Sequence, residues 1–174
     1  MLVASLPTIA GLCSCRSVTL TDYTPVTLAN LNHNVSLPLN SSWIQSNNPG
    51  SPSLSVSHLD WEEVGSNSSA STSTSSCMSL DDNDILIAAD VVYDVGAIPA
   101  LVTVARKFLE GGKDRTAYFA TTMRNERTFD LFINCLESEG VVYEELKGFD
   151  YEELFDTFWT QKREEIRLHT FSLS

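Results

Sequence analysis

Acidic residues stand at three places in this 174-residue chain where an apolar or β-branched run stops. Ile85-Leu-Ile-Ala-Ala89 carries no turn signal and ends on Asp90, with Tyr93 and Asp94 close behind. So short an apolar run reads as a strand buried on both faces. A carboxylate at the carboxyl end of such a strand lies where open α/β sheets take their ligands. Ser17-Val-Thr-Leu-Thr21 alternates and stops at Asp22. In nucleotide-binding α/β folds an acid there accepts hydrogen bonds from ribose hydroxyls; an ordinary turn Asp is the alternative. Leu54-Ser-Val-Ser-His-Leu59 alternates into Asp60-Trp61. An indole there stacks on a flat ring and a carboxylate accepts from an exocyclic amine; a core Trp beside a solvated Asp is the other reading. Asp81, Asp82 and Asp84 resemble a metal cluster only at first sight. With no His near them they read as a solvated acidic turn, and no metal ligands are assigned.

These residues need elements that hold them. Ile98 to Leu109 has apolar residues at helical spacing, and Gly111-Gly112 stops it. Strand, acidic loop, helix and the next strand, Arg115 to Thr122, make a βαβ unit. Upstream, Thr24 is placed to cap a helix that opens on Pro25 and turns Val26, Leu28, Leu31 and Val35 to one side. Downstream, Met123 to Glu126 is a polar loop. Thr128 to Glu139 is an amphipathic helix with Phe129, Phe132, Ile133 and Leu136 on one face, capped by Gly140. Val141 to Leu146 and Glu165 to Leu173 are strands, separated by the acidic, aromatic stretch Phe149 to Trp159. With no full crossover helix between them, these two strands are expected to pair antiparallel. Residues 36–53 form a loop, and the Ser-rich residues 65–80 a disordered insertion within one domain spanning 1–174.

Composition narrows the partners. The chain is 43% hydrophobic, enough for one real core. It holds 23 acidic and 11 basic residues, a net charge of −12. Such a surface repels phosphate backbones, so nucleic acid is not an expected partner. It suits a basic protein or peptide, or simply solubility. Cys13, Cys15, Cys77 and Cys135 match no zinc spacing, and His33, His58 and His169 are scattered, so the thiols read as reduced and the chain as cytoplasmic. No run is long enough to span a bilayer, and no membrane partner is expected. Met1 to Cys15 lacks a basic start and is broken by Pro7, unlike a signal peptide, and reads as the remains of a buried helix.

Leu20-Thr-Asp-Tyr23, Leu59-Asp-Trp61 and Ala88-Ala-Asp-Val-Val-Tyr93, with the closing hairpin, resemble the class I S-adenosylmethionine-dependent methyltransferases. The resemblance is to the seven-β-strand protein-lysine group with an Asp-x-x-Tyr motif, over roughly residues 12–173. Arg124-Asn-Glu-Arg-Thr-Phe129 is similar to the branch that methylates elongation factor 2. The resemblance implies an α/β, Rossmann-like sheet ending in an antiparallel hairpin, S-adenosylmethionine as cofactor and elongation factor 2 as protein substrate. It implies that Asp22 binds the cofactor's ribose, that Asp60 and Trp61 lie at its adenine, that Ala89 lines it by backbone, and that Asp90 and Tyr93 face the target lysine. The family's first strand and its Gly-x-Gly loop find no counterpart, since Gly11 is the only glycine before Gly50. The chain is therefore expected to be N-terminally incomplete. A catalytically inactive truncated isoform, acting at most as an interaction module, is the alternative. A nicotinamide-dependent oxidoreductase would use Asp22 in the same way but lacks its own Gly-x-Gly-x-x-Gly and leaves Asp-x-x-Tyr unexplained.

Overall fold

The computed structural model describes residues 16–36, 53–65, 80, 83–148 and 166–174. Two compact units emerge, one essentially the residues up to Glu63 and one the residues from Ser79 onward. The expected loop at 36–53, the Ser-rich insertion, the amino-terminal fifteen residues and the acidic, aromatic stretch fall wholly or mostly outside the described residues.

In the first unit, β1 (Ser17–Asp22) pairs in parallel with β2 (Ser53–His58), Asp22 opposite His58. Between them runs α1 (Pro25–Ser36). The Thr24 hydroxyl accepts from Thr27 N–H at 3.2 Å, so Thr24 is the cap and Pro25 fills the first turn, where no amide is needed. Leu20, Leu31 and Leu59 are buried, whereas Val26 is 74% exposed. At 3.6 residues per turn Val26 points roughly opposite Leu28, Leu31 and Val35, away from the buried face. β2 ends at His58, earlier than the sequence suggests, and Trp61 opens a short helix, α2 (Trp61–Gly65).

The second unit begins with β3 (Ile85–Ala89), then a 3₁₀ turn (Val95–Ala97), α3 (Ile98–Glu110) and β4 (Thr116–Thr122). It continues with α4 (Glu126–Ser138), β5 (Val141–Leu146) and β6 (Ile166–Leu173). The sheet order is β3-β4-β6-β5, with β3 and β4 parallel and β6 antiparallel to both its neighbours. The last two strands thus pair as expected, but β6 slots between β4 and β5. That placement follows from side chains: Phe171 of β6 meets Phe119 of β4 edge-on at 5.0 Å and Phe132 of α4 at 5.8 Å. Phe119 and Phe132 stack at 5.6 Å, all three rings 1% exposed or less. α3 buries Leu101, Val104, Ala105 and Phe108. Gly140 takes φ +75°, a conformation that favours glycine, and ends α4.

β3 is not buried on both faces. Leu86 and Ala88 lie in register with Ala117 and Phe119 on the helix-covered side. Ile85 and Ile87 share the opposite side with Tyr118 and are 49% and 50% exposed. Among the described residues β3 has one strand neighbour, so it behaves as an edge strand.

Candidate active site

The acidic strand ends appear in both units. In the first, Asp22 closes β1 and its backbone carbonyl accepts from Leu59 N–H at 3.0 Å, tying it to the end of β2. Asp22 Oδ1 accepts from Thr24 N–H at 2.7 Å and from the Thr24 hydroxyl at 3.0 Å. This Asx-type turn fixes the carboxylate by neighbours two residues away. A carboxylate offers about four lone-pair positions, so two local donors leave room for a ligand's hydroxyls. Asp60 Oδ1 accepts from Glu62 N–H at 2.9 Å, placing Asp60 as the cap of α2. Half-buried Trp61 follows directly. Asp22, Asp60 and Trp61 therefore share the carboxyl end of two adjacent parallel strands, where an α/β sheet takes a nucleoside. Donor-accepting carboxylates and an indole fit the ribose and adenine of S-adenosylmethionine. No Gly-x-Gly turn for its amino-acid end occurs in the sequence.

In the second unit, Ala89 ends β3 in register with Ala120, and Asp90 N–H donates to Ala120 O at 2.8 Å. Asp90 then turns into the left-handed region, φ +55°, alone among the described non-glycine residues. Asp tolerates that conformation better than most residues, and outliers of this kind gather at functional sites. The turn sends buried Val92 inward and leaves Tyr93 64% exposed. Asp94 does not join Asp90: its Oδ1 accepts from Gly96 N–H at 2.9 Å and caps the 3₁₀ turn.

Asp90 meets a residue the sequence did not single out as functional. Arg124 Nη2 donates to Asp90 Oδ2 at 2.5 Å, with the guanidinium 65% and the carboxylate 32% exposed. Arg124 follows β4, so two adjacent parallel strands deliver both partners to one end of the sheet. Its position after an apolar strand, in a βαβ unit that sets that strand parallel to β3, was the available signal; the contact of the two side chains was not. The neighbouring Asn125 caps α4 by accepting from Arg127 N–H at 3.1 Å, which starts that helix two residues before Thr128.

Deeper in the same unit, His169 is 2% exposed against Phe129, with ring centroids 4.9 Å apart. Burial holds its imidazole below its ordinary value; Arg167 adds to this and Glu145 opposes it. Its Nδ1 and the hydroxyl of Thr121 are buried without hydrogen-bond partners among the described residues.

Parallel strands with acids at their carboxyl ends, a βαβ unit and a terminal antiparallel hairpin define the Rossmann-like α/β architecture of a methyltransferase. The family model described as lysine methyltransferase matches residues 7–139, and the chain belongs to that family. It is 38% identical over 112 residues to mouse "Protein-lysine N-methyltransferase EEF2KMT", covering 60% of this chain and 30% of the mouse protein. The bovine protein of that name is 33% identical over 124 residues, covering 64% of this chain and 34% of its own length. The human one is 35% identical over 111 residues, covering 59% and 31%. The chain thus spans about a third of the length of these curated relatives. Among the described residues no helix is long and apolar enough to cross a membrane.

Proposed function

We propose that the protein is an S-adenosylmethionine-dependent protein-lysine N-methyltransferase acting on elongation factor 2 in the cytoplasm. The observation that carries this reading is Asp90: a strand-end carboxylate on a left-handed backbone, with Tyr93 exposed three residues on, in a chain of the lysine methyltransferase family. The names of the mouse, bovine and human relatives support the choice of substrate.

The cofactor, when bound, supplies an electrophilic methyl group on a positively charged sulfur. The chain's residues then have three tasks. Asp22 accepts from ribose hydroxyls, held in place by Thr24. Asp60 accepts from the adenine amine, and Trp61 offers a flat surface to the ring. Asp90 binds and aims the substrate ammonium, with the Tyr93 ring or hydroxyl closing its other side. The lysine, with an ordinary pKa of about 10.4, must first give a proton to solvent. Its nitrogen lone pair then bonds to the methyl carbon, the carbon–sulfur bond breaks and its electron pair stays on sulfur. The products are a methylammonium, a neutral thioether and one released proton.

The test is transfer of tritiated methyl from S-adenosylmethionine to purified elongation factor 2. Activity that survives both Asp90→Ala and Tyr93→Phe would remove the catalytic assignment. An inactive wild type that binds no S-adenosylmethionine in calorimetric titration would remove the enzyme reading.

A further inference from the structure

The ion pair at the end of β3 sets the charge that any amine meets there. Asp90 is held by its backbone: N–H bonded to Ala120 O at 2.8 Å, φ +55°. Arg124 is held by its own backbone too. Its N–H donates to Thr122 O at 2.8 Å, and the next residue caps α4. Only the long side chain is left to reach Asp90 Oδ2, at 2.5 Å. Guanidinium side chains are permanent cations in proteins and therefore poor methyl acceptors.

At this end of the sheet the other charged and titratable groups on the adjoining elements are Tyr93, Asp94, Glu126, Arg127 and Arg167. Asp94 is turned to Gly96 N–H at 2.9 Å. Glu126 and Arg127 open α4. On β6, Arg167 lies opposite Thr121 with its Nε 4.0 Å from Glu145. Arg124 is the cation paired to Asp90.

A carboxylate by itself binds an ammonium well and for the same reason makes it harder to deprotonate. That improves binding and slows reaction. A fixed positive charge on the same carboxylate works the other way. We propose that Arg124 is a positioning residue whose charge offsets that of Asp90, so that a lysine bound there loses its proton closer to neutral pH. The inference rests on the methyltransferase reading above. It assigns to Arg124 a role in the rate of that reaction, separate from the binding role of Asp90.

The experiment compares kcat and KM from pH 6.5 to 10 for the full-length wild type, Arg124→Gln and Arg124→Lys, using tritiated S-adenosylmethionine and purified elongation factor 2. A like charge within reach of an ionising group shifts it by one unit or more, so Arg124→Gln should move the rising limb of kcat up by about one pH unit. The rate then falls about tenfold near pH 7.5 and recovers above about pH 9.5, while KM for elongation factor 2 does not rise. Arg124→Lys, which keeps the charge, should restore the midpoint. An unshifted midpoint in Arg124→Gln overturns the inference alone, whether its rate is normal or uniformly low. A wild type that transfers no methyl at any pH overturns the methyltransferase reading and this inference with it.

Discussion

Asp22 and Asp90 both end a parallel strand, yet they are held by opposite means. Asp22 takes its hydrogen bonds from Thr24, two residues along the chain, at 2.7 and 3.0 Å. Asp90 takes its partner from Arg124, thirty-four residues away on the loop after β4. The first carboxylate would hold its orientation in any context that keeps a turn before α1. The second depends on β3 lying beside β4, on the hydrogen bond to Ala120 and on a strained backbone. A cofactor's ribose needs a steady acceptor, and a reacting amine needs a tuned charge. Local and long-range restraint suit those two demands in that order.

The contrast breaks most sharply through the core. Phe132→Ala removes the ring that stacks on Phe119 and meets Phe171, and should cost about 3–5 kcal/mol in urea unfolding. Because β4 and the loop after it carry the Ala120 and Arg124 contacts to Asp90, this variant should also lose methyl transfer. An unchanged unfolding midpoint would mean that the aromatic cluster does not hold the sheet together.

The next effect separates the two acids. Asp90→Asn should lower kcat/KM for elongation factor 2 at least about a hundredfold, chiefly through a higher KM, the scale of a lost charged contact of about 3 kcal/mol to the substrate ammonium, with cofactor affinity kept. Asp22→Asn should instead weaken S-adenosylmethionine binding about tenfold in calorimetry, the scale of one charge-assisted hydrogen bond of roughly 1.5 kcal/mol. If both variants moved the same parameter, the division of labour would be wrong.

A smaller effect tests what lies beneath the Asp90 side of the molecule. Burial holds His169 below its ordinary value of 6.5, so the unfolded chain binds that proton more readily than the folded one. Stability from this group is complete above the ordinary histidine range and falls as the pH drops through it. The slope cannot exceed about 1.4 kcal/mol per pH unit for one proton. His169→Phe should flatten the urea midpoint between about pH 7 and pH 5.5, the window set by that reference value; a retained slope would assign the effect to another group.

The smallest expected change is at Asp22's own support. Thr24→Ala removes the cap of α1 and one donor to Asp22, for about 1 kcal/mol. It should raise the cofactor's Kd by a few-fold and leave the pH profile of kcat where it was. A shifted profile would couple Thr24 to the chemistry and erase the contrast.

How much of this was legible follows the same line. Thr24 as a cap, Pro25 in the first turn, the helix after β3 and the two closing strands are local patterns, and each was found in the sequence with small errors at the ends. The strand-end acids were legible for the same reason, since each interrupts its own run. Ile85 and Ile87 were misjudged because exposure depends on what covers a sheet face, and a run of apolar residues does not say how many faces are covered. Val26 was misjudged because the helical period of 3.6 residues puts it roughly opposite Leu28, Leu31 and Val35, not beside them.

By itself, then, the sequence determined the order of the elements, their caps and the residues that end the strands, all of which rest on interactions within a few positions. Tertiary structure alone decided that β6 enters between β4 and β5, and that Arg124 meets Asp90 while Asp94 serves a cap. Those outcomes depend on which strands become neighbours. Strand pairing is set by long-range burial, here of Phe119, Phe132 and Phe171 together, which no local window of residues contains.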